Sequence, residues 1–106
     1  MVYVDQIMQY PAATVAQPAR KHGSRWCHLW ADYGDEVNLH RIAAAIGLKR
    51  EWFQHEGRWF PHYDLVPGKR LLAIRAGAQP RDLKDWISEN YNRILEFKKR
   101  QPGGRS

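Results

Sequence analysis

Three aspartates, Asp5, Asp32 and Asp64, each close an extended, strand-like segment of this 106-residue chain. In open α/β sheets ligands gather at the carboxyl ends of strands, so three carboxylates placed this way can converge. Adding His28 and His62 gives a set of oxygen and nitrogen donors suited to Mg²⁺, Mn²⁺ or Zn²⁺. An ion held so would activate water against a phosphodiester. Aspartates after strands also serve as turn and cap residues, which is the competing structural role. Within the run FPHYDLVPGKR, His62 and Asp64 fall on one side of an extended backbone and Tyr63 on the other. Asp64 is then placed to orient the imidazole of His62 as an acid or base, and Tyr63 is expected in the core. His28, Asp64 and His62 are accordingly the candidate catalytic residues, with Asp5, Asp32 and Asp64 as candidate ligands of a divalent metal.

Other chemistries find little support. Cys27 lies on the strand face opposite His28 and has no neighbouring base, so it is a poor nucleophile. Ser24 has no evident partner for acyl transfer, and the chain carries neither a glycine-rich phosphate loop nor a metal motif of recognised spacing. A single cysteine excludes an internal disulfide framework and a thiolate zinc cage.

Charge points to a different class of partner. Seventeen Lys and Arg face eleven acids, giving a net charge of +6 and a pI near 9.8. Eleven of these cations are Arg, whose planar fork matches phosphate. Arg20, Lys21, Arg25, Arg58, Lys69 and Arg70 fall in loops or at helix ends and are the candidate contacts to nucleic acid or a phosphate ligand. Trp52, Phe53, Trp59 and Phe60 interleave with cations and could stack on bases, although rings of this kind also build the core of a small protein. Lys69 and Arg70 enter a helix at its positive end, an arrangement that favours an acidic ligand nearby.

The elements that must position these residues follow from periodicity. VYV (2–4) and WCHLWA (26–31) read as strands, the second with Trp26, His28 and Trp30 on one side and Cys27, Leu29 and Ala31 on the other. Residues 10–25 read as a long loop. DEVNLHRIAAAIG predicts a helix capped by Asp35, with Leu39, Ile42, Ala43 and Ile46 as its buried stripe and Gly47 as its stop. PGKRLLAIRAG predicts a short helix that begins at Pro67, buries Leu71, Leu72 and Ile74, and stops at Gly77. A last helix is expected over 81–99. Its stripe of Leu83, Trp86, Ile87, Tyr91, Ile94 and Leu95 is suited to the domain's own core or to a homodimer contact. The expected architecture is a single-domain α/β sandwich with a short sheet and about three helices. No stretch is long enough to cross a membrane and MVYVDQIM lacks the character of a signal peptide, so a cytoplasmic protein without membrane partners is expected.

The blocks VYVD, SRWCHLWAD, EVNLHRIAAAIGLKREWFQ, PHYDL and KRLLAIRAGA together resemble a small bacterial and phage domain family. It is known as the domain of unknown function number four thousand and thirty-one. The resemblance covers about residues 1–79 and implies that His28, Asp32, His40, Trp52, Phe53, Gln54, His62, Tyr63 and Asp64 stand at the family's characteristic positions. It implies no activity. Residues 80–100 are then a helical extension packed on the family-like domain, and 101–106 a disordered tail. Val66 stands where members often carry Ser or Thr, which makes Asp64 a candidate acceptor for the helix that follows. On these grounds the chain is a basic nucleic-acid or phosphate-binding module, or alternatively a metal-dependent hydrolase of phosphodiesters or nucleotides. A third reading is an interaction module that uses the C-terminal helix.

Overall fold

A computed structural model describes residues 1–9 and 25–100. The expected loop over residues 10–25, apart from Arg25, and the expected tail lie outside the described residues, as do Arg20 and Lys21.

The central strand is β3 (Arg25–Ala31). It pairs antiparallel with β1 (Val2–Val4), Val4 opposite Leu29, and with β4 (Tyr63–Leu65), Asp64 opposite His28. Leu29 is a partner of both, so β1 and β4 flank β3 on opposite edges. A short β2 (Met8–Gln9) pairs with the start of β3, and β5 (Gln79–Pro80) adds to β1 in parallel, completing a mixed five-stranded sheet. Four α-helices accompany it: α1 (Glu36–Ala45), α2 (Pro67–Arg75), α3 (Leu83–Glu89) and α4 (Tyr91–Arg100), with a 3-10 turn at Arg50–Trp52.

Period two along β3 divides the core. Cys27, Leu29 and Ala31 join Val2 and Val4 against Leu39, Ile42, Ala43 and Ala73 of α1 and α2. On the opposite face Trp30 and Tyr3 pack with Phe60, and Trp86 and Ile94 from α3 and α4 cover them. This is the α/β sandwich expected, with helices on both faces. Trp86 and Ile94 are buried within the domain's own core, so the main part of the C-terminal apolar stripe is used internally.

Several local expectations are corrected. The helix count is four, because the segment from 81 breaks at Asn90. There the backbone leaves helical geometry, and the Asn90 side chain donates to the carbonyl of Trp86. Asp35 holds the N-cap position of α1, but its side chain makes no cap hydrogen bond. Its carboxylate instead takes the amino terminus of Met1 and the amide of Asn38, which hold it below the usual carboxylate range. Leu71 and Leu72 face solvent, 54% and 42% exposed, and α2 buries Ala73. The residue that approaches β3 closely must be small, since backbone and sheet meet there. Asp64 does not cap α2, whose start at Val66 has no side-chain cap.

His40 of α1 hydrogen-bonds the Tyr63 hydroxyl through Nδ1 at 2.8 Å and meets Phe53 edge-on. Burial, with Arg50 adding to it, holds the imidazole below its ordinary range. The neutral form is therefore favoured in the fold, and the unfolded chain binds the proton more readily. Stability from this source is complete above the ordinary imidazole value and is lost as pH falls below it. Urea midpoints measured at pH 7.5 and 5.5 should fall on acidification, and His40→Gln should flatten that fall. On the opposite face, Trp86→Ala empties the largest side chain between α3 and Trp30. It should cost about 3 to 5 kcal/mol in urea unfolding monitored by tryptophan fluorescence.

Candidate metal centre

The site lies where β1 ends against the middle of β3. The Asp5 carboxylate accepts from the His28 backbone N–H through Oδ1 at 2.6 Å and meets the His28 ring at Nδ1 through Oδ2, at 2.8 Å. A carboxylate only accepts, so Nδ1 carries a proton, and in the neutral ring Nε2 is the acceptor nitrogen. His62 is fixed in the same sense. Its Nδ1 lies 2.8 Å from the carbonyl oxygen of Phe60, an obligate acceptor, so Nδ1 again carries a proton and Nε2 is the acceptor nitrogen of the neutral ring. Two imidazoles with anchored Nδ1–H groups present the tautomer that metals bind.

Asp64, directly opposite His28 in the β3–β4 ladder, completes the set. Its Oδ2 accepts from the Gln54 side chain at 2.6 Å. Gln54 is itself held to the backbone of His62 by a reciprocal pair of hydrogen bonds at 2.8 and 3.1 Å. The other oxygen, Oδ1, is buried without a hydrogen-bond partner and sits 3.4 Å from His62 Nε2. That separation is the edge of a tetrahedron about an ion with ligand bonds of about 2.1 Å, which spans about 3.4 Å. Ligand atoms of His28, His62 and Asp64 all lie within 4.8 Å of one another. The widest of these gaps exceeds the tetrahedral edge, so an ion would draw a ring inward.

Rings pack closely around the donors. Phe60 stacks on His62 at 4.5 Å, His28 meets His62 edge-on at 5.1 Å, and Trp26 meets His28 edge-on at 4.8 Å. The side chains of Asp5, His28, His62 and Asp64 retain only 9 to 13% exposure, so charge acts here at reduced dielectric. Cys27 lies on the other face of β3. Burial first, and then the charge of Asp5, push its thiol up to about 12, which keeps it protonated and unreactive.

Of the residues singled out in the sequence, the structure brings together Asp5, His28, His62 and Asp64. Asp32 is elsewhere. It follows β3 at the far end and accepts from Tyr3 Oη at 2.9 Å and Trp86 Nε1 at 3.0 Å, tying β1 to α3. The cations also part company. Lys69 reaches back to the Ile46 carbonyl at the end of α1, and Arg70 Nε donates to the Asp5 carbonyl at 2.8 Å. Their place in the first turn of α2 is thus met by carbonyls of the protein. Arg25 and Arg58 are exposed at the start of β3 and in the 55–58 turn. Two contributors were not anticipated in a site role. Gln54 orients Asp64, and His55, which reads as a loop residue, stacks on His62 at 5.5 Å from a left-handed backbone with φ of 59°. Histidine is among the non-glycine residues that enter this region more readily than most. Neither role has a sequence signal, since both depend on the turn that folds residues 54–62 back on themselves.

A family model described as "Protein of unknown function (DUF4031)" matches residues 2–93. The chain belongs to that family. The match runs past residue 79 and takes in α3 and the first three residues of α4. No curated protein and no solved structure matches the chain. Among the described residues no helix is long and apolar enough to cross a membrane.

The geometry fixes an order of effects on ion binding. Titrating the stripped protein with Zn²⁺ or Co²⁺ in a calorimeter should give one site per chain. His28→Ala, His62→Ala and Asp64→Ala should abolish it. Asp5→Asn, which keeps the shape but weakens the hold on Nδ1, should reduce affinity by about 10- to 100-fold.

Proposed function

We propose that the protein is a cytoplasmic metal-dependent hydrolase of phosphodiesters or nucleotides, with His28, His62 and Asp64 as ligands of one divalent ion. The observation that carries this reading is the buried Asp64 Oδ1, which has no hydrogen bond and sits at the tetrahedral-edge distance from the Nε2 of His62, whose Nδ1 is held by the Phe60 carbonyl. A buried carboxylate oxygen without a donor is costly unless a cation completes it. Three protein ligands on a four-coordinate ion leave one position for water, the arrangement of catalytic rather than structural sites. An ion held by His28, His62 and Asp64 would supply a bound water of lowered pKa and offset charge on a phosphoryl oxygen. Hydrolysis at such a site would form a P–O bond from water, break the ester P–O bond and leave the water's proton on the leaving oxygen. The net charge of +6 favours an anionic substrate over a neutral one.

Cation–ring pairs support a second, non-catalytic reading as a nucleic-acid binding module. Arg93 lies over Tyr33, Lys98 over Trp59 and Arg100 over Phe97 along α4, with centroid distances of 5.1 to 5.3 Å. Such a surface can follow a single strand by phosphate contact and stacking. The two readings separate in one assay. Hydrolysis of bis(p-nitrophenyl) phosphate and of a fluorescent oligonucleotide should require added Zn²⁺, Mn²⁺ or Co²⁺ and stop with a chelator. Asp64→Asn should lower kcat by at least about a hundredfold, the scale of a lost electrostatic contact at the reacting centre. Oligonucleotide binding that survives chelation, falls steeply with salt and yields no turnover would replace the enzyme with the binding module.

A further inference from the structure

Resting on the hydrolase reading, a substrate class can be read from the ground beside the metal centre. Asp5 has two sides. Its carboxylate holds His28, and the residue also lines a cleft of about 230 Å³ at the carboxyl ends of the parallel strands β1 and β5. Arg70 and Arg81 line the same cleft. Arg70 donates Nε to the Asp5 carbonyl, which fixes the guanidinium plane while its two Nη groups remain to serve a ligand. Arg81 is positioned by its backbone N–H on the Val4 carbonyl, at 2.8 Å, and by the Tyr3 ring, 5.2 Å beneath its guanidinium. Its anionic partner, Glu89, is 65% exposed. An exposed ion pair of that kind contributes little and exchanges readily for phosphate. The acids of the cleft are already engaged. Asp5 is taken by His28, and Asp82 accepts from the backbone N–H of Lys84.

A second cleft, of about 310 Å³, shares Asp5, Gln6 and Asp82 with the first and adds Met8, Leu83, Lys84 and Ile87. One recess is therefore lined by two guanidinium groups, and its neighbour adds three apolar side chains and Lys84. This is the division of a nucleotide into phosphate and nucleoside. Crevices at the carboxyl ends of parallel strands are also where α/β sheets hold such ligands.

We infer that the paired clefts form a nucleotide subsite, with a phosphate on Arg70 and Arg81 and the nucleoside against Met8, Leu83 and Ile87. It lies across Asp5 from the metal ligands, so it receives the nucleotide next to the scissile phosphodiester. The substrate is accordingly a nucleotide chain or dinucleotide in preference to a simple phosphate ester.

The test reads binding separately from turnover. Chelator-stripped, full-length protein is titrated with inorganic phosphate and with adenosine 5′-monophosphate, followed by NMR shifts of the arginine side-chain resonances. Both should bind, the nucleotide more tightly. Arg81→Gln and Arg70→Gln should each weaken both by about tenfold or more, with Arg81→Lys retaining part of the affinity. Met8→Ala should weaken the nucleotide alone. Phosphate that binds neither variant more weakly, or not even the natural protein at millimolar concentration, overturns the subsite. Equal loss of both ligands in Met8→Ala overturns the placement of the nucleoside. With metal added, Arg81→Gln should lower the kcat/KM ratio of a dinucleotide over bis(p-nitrophenyl) phosphate by about tenfold, and an unchanged ratio counts against the subsite. The two readings fail separately. Loss of the metal centre leaves phosphate binding in chelator intact, whereas loss of the subsite leaves metal-dependent ester hydrolysis intact.

Discussion

The grip of Asp5 on His28 is the contact on which the rest of the site depends. It joins main chain and side chain of one residue to a single carboxylate, and it does so where the sheet changes register. Val4 stands opposite Leu29 and Met8 opposite Trp26, so four steps on the outer strand span three on β3. The extra residue is that of a bulge, a device common beside active sites because it re-aims a side chain. A regular ladder would turn Asp5 into one more strand residue. The bulge lets its carboxylate reach the His28 amide, its carbonyl meet Arg70, and its outer side border the clefts. One residue thereby couples the tautomer of a metal-type imidazole to the position of a phosphate-type arginine.

The remaining donors are held by equally local means. His62 and Asp64 straddle Tyr63, whose side chain is almost fully buried on the α1 side of the sheet and bonded to His40. Packing Tyr63 into one core sends both neighbours to the other face, by the simple alternation of a strand. Gln54 then fixes the carboxylate from across the 54–62 bridge. The site is built on paired strands whose opposite faces are filled, which suits a constellation that must keep its geometry.

What was legible in the sequence follows the same physics. Alternation in WCHLWA and HYDL is short-range and unambiguous, so the facing of His28, His62, Asp64 and Tyr63 could be read directly. The stripe of α1 and the stops at Gly47 and Gly77, both with positive φ, are local signals too. Strands of two residues such as β2 and β5 carry no periodicity, and they exist only because a longer strand accepts them. The exposure of Leu71 and Leu72 depends on how closely α2 approaches β3, which a hydrophobicity pattern does not contain. Asp5 and Asp32 look alike in sequence, each an acid just after a strand. They separate because antiparallel pairing puts the end of β1 beside the middle of β3, whereas Asp32 follows the end of β3. Asp32 follows His28 by four residues, about 13 Å along an extended strand, and there it anchors Tyr3 and Trp86.

The floor beneath the site explains why so small a domain can sustain it. Cys27, Leu29 and Val4 are fully buried under the strands that carry Asp5, His28 and Asp64. A dry apolar layer there lowers the local dielectric, which strengthens every charge interaction above it and makes an uncompensated carboxylate costly. Two carboxylates, Asp5 and Asp64, share this environment, and both bear on Cys27 with the same sign. Arg70 opposes them. A divalent cation between His28, His62 and Asp64 would balance the carboxylates beside the Nε2 of His62, where Asp64 Oδ1 lies. The raised thiol stays protonated on the far side and does not compete as a ligand. The sheet thus divides its labour by residue parity: odd positions of β3 supply the apolar floor, and His28, on the even side, supplies a donor that the floor makes effective.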